Sequence, residues 1–215
     1  DIHIKEFKRL GVTGDFENYY STMSFTAEAQ IVRELGKFLI DGSLYQGFKP
    51  VFWSTVEKTA LADAEVEYEE HTSNTIFTAF KIKKTPKDFL KDSNIIIWTT
   101  TPWTIPANRA LAFNSGIEYS LVEINNLEDF KEKKIIVATN LLDSVVKACG
   151  IKKFETLKTF NGAEFEGTIC THPFHSLGFD FDVPMLDARF VTLEQGTGIV
   201  HCAPSHGPDD FNLCL

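Results

Sequence analysis

From Lys49 onward the chain consists of short β-prone runs, each closed by a turn signal, and this texture restricts its fold more than any other feature. Residues 51–53, 65–68, 75–82, 94–98, 110–113, 119–124, 134–138, 154–160, 189–193 and 198–202 read as strands. Asn161-Gly162 marks a turn. Residues 141–149 read as a short helix, with Asn140 as N-cap and Gly150 as the stop. Long helices do not alternate with the strands, which disfavours a doubly wound parallel sheet. The expected fold class is α+β and rich in β: a closed or nearly closed β-barrel with peripheral helices.

The first 48 residues differ. Ser24 or Thr26 is placed to cap a helix. Ile31, Leu35, Phe38 and Leu39 then recur at helical spacing until Asp41-Gly42 ends the run. The expected organisation is an N-terminal segment, 1–48, with one amphipathic helix packed on the same domain, followed by a β-barrel domain, 49–215. With no initiator Met and an abrupt stop at Leu215, the chain reads as a piece of a longer protein.

Charge and cysteine content narrow the function classes. A net charge of −9 argues against a broad basic footprint on nucleic acid, although a pocket for one nucleotide terminus needs few cations. Cys149, Cys170, Cys202 and Cys214 form no C-x-x-C pair, so neither a disulfide framework nor a four-sulfur zinc site is expected. A reducing, cytoplasmic setting and no membrane partner fit this composition.

Two segments carry the chemistry. The first, Trp98-Thr99-Thr100-Thr101-Pro102-Trp103-Thr104-Ile105-Pro106-Ala107-Asn108-Arg109, follows the apolar triplet Ile95-Ile96-Ile97. Three hydroxyls where a strand ends, walled by two tryptophans and two prolines, suit a small pocket that positions a water and a polar substrate. The second runs from Gln195 to Phe211 and crowds His201, His206, Asp209 and Asp210 at the rim of a strand. Gly196 and Gly198 allow a close backbone approach, and Pro208 opens a helix.

Plainer readings stand beside these. Asp209 and Asp210 suit a helix N-terminus, His201 a hydrogen-bonded core, the threonines a strand and the tryptophans a core. His172 and His175 read as loop residues. His201, Cys202, His206 and Asp210 are competent metal ligands, yet their spacing matches no helix-borne pair, and strand neighbours 201 and 202 face opposite ways. No metal is therefore expected. No G-x-S-x-G elbow or phosphate loop is present.

Taken together, the two segments closely resemble the editing domain of the isoleucyl-tRNA synthetase family, the large insertion in the class I catalytic fold. The stretches from Gly47 to Ser54 and from Thr59 to Tyr68, and the opening Phe7-Lys8-Arg9-Leu10-Gly11-Val12 with Gly14-Asp15, resemble it as well. The valyl and leucyl relatives carry Arg-Pro-Glu or Arg-Pro-Asp after the paired threonines, where this chain has Thr101-Pro102-Trp103. The adenylate-forming signatures of the family are absent, so amino-acid activation is not expected of this stretch. Ser54-Thr55-Val56-Glu57 stands where many bacterial relatives have a Cys-x-x-Cys.

The resemblance implies hydrolysis of mischarged valyl-tRNA(Ile), and of valyl-adenylate as a second substrate. A hydrophobic pocket separates side chains differing by one methylene by only about 10–200-fold, a limit that isoleucyl enzymes themselves exemplify, so a second sieve is needed. Asp210 is then expected to bind the substrate α-ammonium, and His201 to limit the size of the side-chain pocket. Thr99, Thr100 and Thr101 are expected to position the ester, the adenosine and a water, while Trp98 and Asn108 shape the site. The implied partners are the 3′-terminal aminoacylated adenosine of tRNA(Ile), its valine moiety and the rest of the synthetase. No cofactor is implied for this stretch; ATP and Mg belong to the full-length enzyme. Two other classes remain open: a non-catalytic module that binds the tRNA acceptor end, and a metal-dependent hydrolase using His201, His206 and Asp210.

Overall fold

The structure, a computed structural model, describes residues 1–125 and 133–215. Two compact units divide the chain, Asp1–Phe48 and Lys49–Leu215. The first holds two helices, α1 (Ile2–Arg9) and α2 (Phe25–Ile40). α2 begins where the sequence places its cap, with the Ser24 hydroxyl accepting the Ala27 N–H at 3.3 Å. Gly42, at φ +84°, ends it. α1 was not expected; it spans eight residues and has no side-chain N-cap, and Lys8 and Arg9 in its last turn complement the helix dipole.

The second unit opens with a hairpin of β1 (Trp53–Ser54) and β2 (Thr59–Ala60), in which the Ser54 hydroxyl donates to Glu57. Nine strands then form one mixed sheet. In chain order they are β3 (Ile76–Lys84), β4 (Asn94–Thr99), β5 (Ala110–Phe113), β6 (Glu118–Ile124), β7 (Lys134–Ala138), β8 (Phe154–Asn161), β9 (Ile169–Thr171), β10 (Asp182–Asp187) and β11 (Val200–Cys202). Helix α3 (Leu142–Ala148) follows β7, and α4 (Pro208–Cys214) follows β11. The order across the sheet is β11-β5-β10-β9-β3-β4-β7-β6-β8, with β4·β7 and β5·β10 parallel and the other pairs antiparallel.

The α+β, β-rich character holds, but of the closed or nearly closed barrel expected, no closed barrel forms among the described residues. β11 and β8 end the row without pairing to each other, so the sheet is open. Closure requires the end strands to share a hydrogen-bond ladder. β11 is only three residues long, and β8 leaves all but one of its residues exposed. The row nevertheless curls: the Ala138 N–H reaches the Thr197 carbonyl at 2.8 Å, which brings the segment before β11 across to the end of β7.

The β-prone run at 65–68 is not a strand, because Val66 and Tyr68 offer too little apolar area between carboxylates and Tyr68 stays in solvent. The run at 189–193 is a turn region in which the Val191 N–H bonds back to the Ala188 carbonyl. β9 and β10 are strands that the sequence pattern does not predict. β9 has three residues, and β10 contains Pro184, a residue that argues against a central strand. Pro184 is accommodated because β10 changes partners there, pairing β9 up to Pro184 and β5 from Met185 onward.

The core lies along β3, β4, β6 and β7. Ile95, Ile96 and Ile97 are all buried, so β4 is covered on both faces, as expected of a strand with a parallel neighbour. Tyr119 and Phe165 meet edge to face at 4.9 Å. The Tyr119 hydroxyl donates to the Gly198 carbonyl at 2.8 Å and accepts the Asn114 N–H at 3.1 Å; burial pushes its pKa up to about 12. Gly198 has φ +73°, and a Cβ there would lie 2.4 Å from the Ala138 Cβ. Gly198→Ala therefore combines a left-handed backbone cost with overpacking, and the expected loss is about 2–5 kcal/mol, read as a lower urea midpoint at unchanged m-value.

Candidate functional site

Three segments distant in sequence meet at the curled end of the sheet. β4 delivers Thr99. Thr100 and Thr101 follow, and then a 3₁₀ segment, Pro102–Ala107, started by its own proline and ending at Asn108. β11 brings His201, set opposite Leu111 of β5. α4 carries Asp210 in its first turn, behind Pro208. Between them lies a cavity of about 510 Å³, within the range of small-molecule sites. Trp98, Thr99, Thr100, Thr101, His201 and Asp210 all line it; Asn108 does not, being fully buried behind His201.

The threonines form a local hydroxyl network. The Thr99 hydroxyl accepts the Thr101 N–H at 3.1 Å and lies 3.3 Å from the Thr101 hydroxyl. Thr99 is buried, Thr101 partly exposed and Thr100 exposed. The sequence expectation missed Thr104, whose hydroxyl donates to the Thr101 carbonyl at 2.8 Å. It also missed Phe190 and Gln195, which line the cavity; Phe190 was assigned to a strand that does not form. Trp103 is exposed at the lip, not packed in the core.

His201 is held by both ring nitrogens. Asn108 donates to Nδ1 at 3.0 Å and to the Ala110 carbonyl at 2.9 Å. Nδ1 must therefore be bare, so Nε2 carries the proton and donates to the Thr104 hydroxyl at 2.8 Å. The result is one directed chain from Asn108 through His201 and Thr104 to the Thr101 carbonyl. Asn108 Oδ1 is buried without a partner among the described residues. The one basic lone pair of the ring, on Nδ1, is thus in use, and His201 has none to offer a metal or a substrate proton.

Burial, and then the neighbouring His206 and His172, pulls the His201 pKa down to about 4. The sign for stability follows. Below about pH 6.5 the unfolded chain takes up a proton at this residue that the folded protein refuses. Folding stability is therefore expected to fall between pH 6.5 and pH 4, by about 3 kcal/mol at the lower limit. His201→Gln should flatten that slope in urea titrations run at a series of pH values. Asp210 acts in the opposite sense: burial raises its pKa, so acid relieves part of its cost.

Asp210 is half-buried and lines the cavity, and its Oδ2 accepts the Ala203 N–H at 2.8 Å. Asp209, on the same turn, is exposed and outside the cavity lining. The structure thus brings the hydroxyls, a fixed neutral imidazole and one carboxylate around one hollow. It separates Asp210 from Asp209 as the carboxylate facing that hollow.

The sequence model of the family described as tRNA synthetases class I (I, L, M and V) matches residues 1–193. Isoleucine–tRNA ligase of Pelagibacter ubique is 67% identical over 215 residues, covering 100% of this chain and 24% of that protein. Isoleucine–tRNA ligase of Gluconobacter oxydans is 49% identical over 216 residues, covering 98% of this chain and 22% of that protein. The chain spans about a quarter of the length of these relatives. Among solved structures, the P. knowlesi cytosolic leucyl-tRNA synthetase editing domain superposes with a TM-score of 0.48 at 16% identity, over 64% of this chain and 59% of that one.

Proposed function

We propose, for a chain that belongs to the class I tRNA synthetases (I, L, M and V), that residues 49–215 form an editing domain that hydrolyses valyl-tRNA(Ile). Residues 1–48 are its accessory N-terminal segment. The observation that supports this reading most is the single hollow shared by Thr99–Thr101, His201 and Asp210.

In this reading the Asp210 carboxylate binds the α-ammonium of the valyl ester by charge-assisted hydrogen bonds. The ester carbonyl then lies beside the hydroxyls of Thr99, Thr100 and Thr101, which hold a water in line with it. An aminoacyl ester is already activated, so no covalent nucleophile is needed. His201 does not serve as base, since its Nδ1 lone pair is taken by Asn108. Its role is to be a wall, fixed at both nitrogens, that admits valine and excludes isoleucine. Trp98 closes one side of the hollow, and Asn108 braces the wall from behind. The partners are the terminal adenosine of tRNA(Ile), the valine it carries and the remainder of the synthetase, working in the cytoplasm. Valyl-adenylate is a second substrate of the same geometry.

The test is deacylation of valyl-tRNA(Ile) by the 215-residue chain, beside isoleucyl-tRNA(Ile) as a control. Selective loss of the valyl ester is expected; equal stability of both esters at saturating protein would leave a binding module. No step needs a metal, so EDTA and omission of ATP are expected to leave the rate within about twofold, whereas removing a catalytic zinc would cost orders of magnitude.

A further inference from the structure

Behind the 3₁₀ segment lies a buried histidine that the reaction above does not use. His172 lies in the loop after β9, as expected, yet is only 1% exposed. Phe179 stacks on its ring at 5.0 Å between centroids, while Phe181, Phe174 and Phe80 enclose it at 5.2, 5.6 and 6.2 Å. Its Nε2 lies 2.9 Å from the Ile105 carbonyl oxygen, and its Nδ1 accepts the Phe174 N–H at 3.1 Å. A carbonyl only accepts and an amide N–H only donates, so the proton must sit on Nε2.

Ile105 is next to Thr104, the residue that His201 holds from the cavity side. Two neutral histidines, both protonated on Nε2, thus grip adjacent residues of one 3₁₀ segment. That segment needs outside anchors. 3₁₀ hydrogen bonds are poorly aligned, and Pro102 and Pro106 supply no N–H. It also fixes the cavity hydroxyls, because the Thr104 N–H and hydroxyl both bond to the Thr101 carbonyl.

We propose that His172 is a positioning residue for hydrolysis: through the Ile105 carbonyl it holds the 3₁₀ segment that sets the hydroxyls of Thr101 and Thr104. It touches no substrate. The inference rests on the editing reading above and names a residue that the reading leaves out.

His172→Phe keeps the aromatic box but removes both hydrogen bonds, and His172→Gln restores an N–H donor toward Ile105. In the 215-residue chain, His172→Phe is expected to lower kcat for valyl-tRNA(Ile) deacylation by about 10–100-fold with KM within about threefold, the signature of misplaced groups rather than lost binding. His172→Gln is expected to recover most of that kcat. A His172→Phe kcat within about twofold of the parent, or equal losses in both variants, overturns the proposal. Should His172→Phe not fold, the ¹⁵N spectrum of the unmodified protein decides instead. A protonated Nε2 and bare Nδ1 at neutral pH are expected, and the opposite tautomer or a charged ring overturns the clamp. Failure of the unmodified chain to deacylate valyl-tRNA(Ile) would overturn the editing reading, while the ring spectrum would still judge the clamp.

Discussion

On the proposed function, Asp210→Asn is expected to lower kcat/KM for valyl-tRNA(Ile) hydrolysis by about 100-fold or more while the fold stays intact. This carboxylate has two duties on the proposed function: its Oδ2 accepts the Ala203 N–H and ties α4 to the end of β11, and its charge lines the cavity. Asparagine keeps an oxygen for the first duty and loses the charge needed for the second. Truncating one partner of a desolvated charge pair costs about 2–5 kcal/mol, and about 3 kcal/mol corresponds to the expected fall. Asp210→Ala adds the loss of the Ala203 contact, so it should show the same kinetic defect with a lower melting temperature. Asp209→Asn is the control, being exposed on the same turn, and should leave kcat/KM within about twofold because its charge is screened. Unchanged turnover in Asp210→Asn would remove the ammonium role.

The second large effect concerns selectivity. His201→Ala is expected to raise hydrolysis of isoleucyl-tRNA(Ile) by about 10–200-fold, the discrimination that one methylene supplies in a shaped pocket. The ring can act as a size filter because it cannot turn aside: Asn108 holds one nitrogen and Thr104 the other. Removing it opens far more than a methylene of space. Both partners keep a second hydrogen bond, Asn108 to the Ala110 carbonyl and Thr104 to the Thr101 carbonyl, so the site should survive the change. The measurement is the ratio of isoleucyl to valyl ester hydrolysis. A ratio that stays at its parental value would show that another group sets the limit.

The residues that gather at this cavity were largely legible in the sequence, for a physical reason. Hydroxyls, glycines and prolines at a strand end are poor choices for packing alone, so Thr99–Thr101 and the segment around His201 stood out. Strands whose interior is uniformly apolar, such as β4, β5 and β7, were equally plain. What could not be read was pairing. β10 holds a proline and serves two neighbours in turn, and that exchange exists only in the assembled sheet. Closure of the barrel failed for a similar reason, since strand count does not say whether end strands can meet. Thr104 and His172 were passed over because their importance lies in what they touch across the chain. Thr104 reaches His201 97 positions away and His172 reaches Ile105 67 positions away.

That separation of 97 positions sets an order of events during synthesis. At about 5–20 residues per second, the ribosome delivers His201 roughly 5–20 s after Thr104 has appeared. Helix α3 and the β6–β7 antiparallel pair are local and form early, whereas β11 pairs with β5 across a long sequence separation and forms later. A nascent chain therefore carries its hydroxyl loop without the His201 contact for many seconds. On the proposed function, the cavity becomes competent only once β11 has docked on β5.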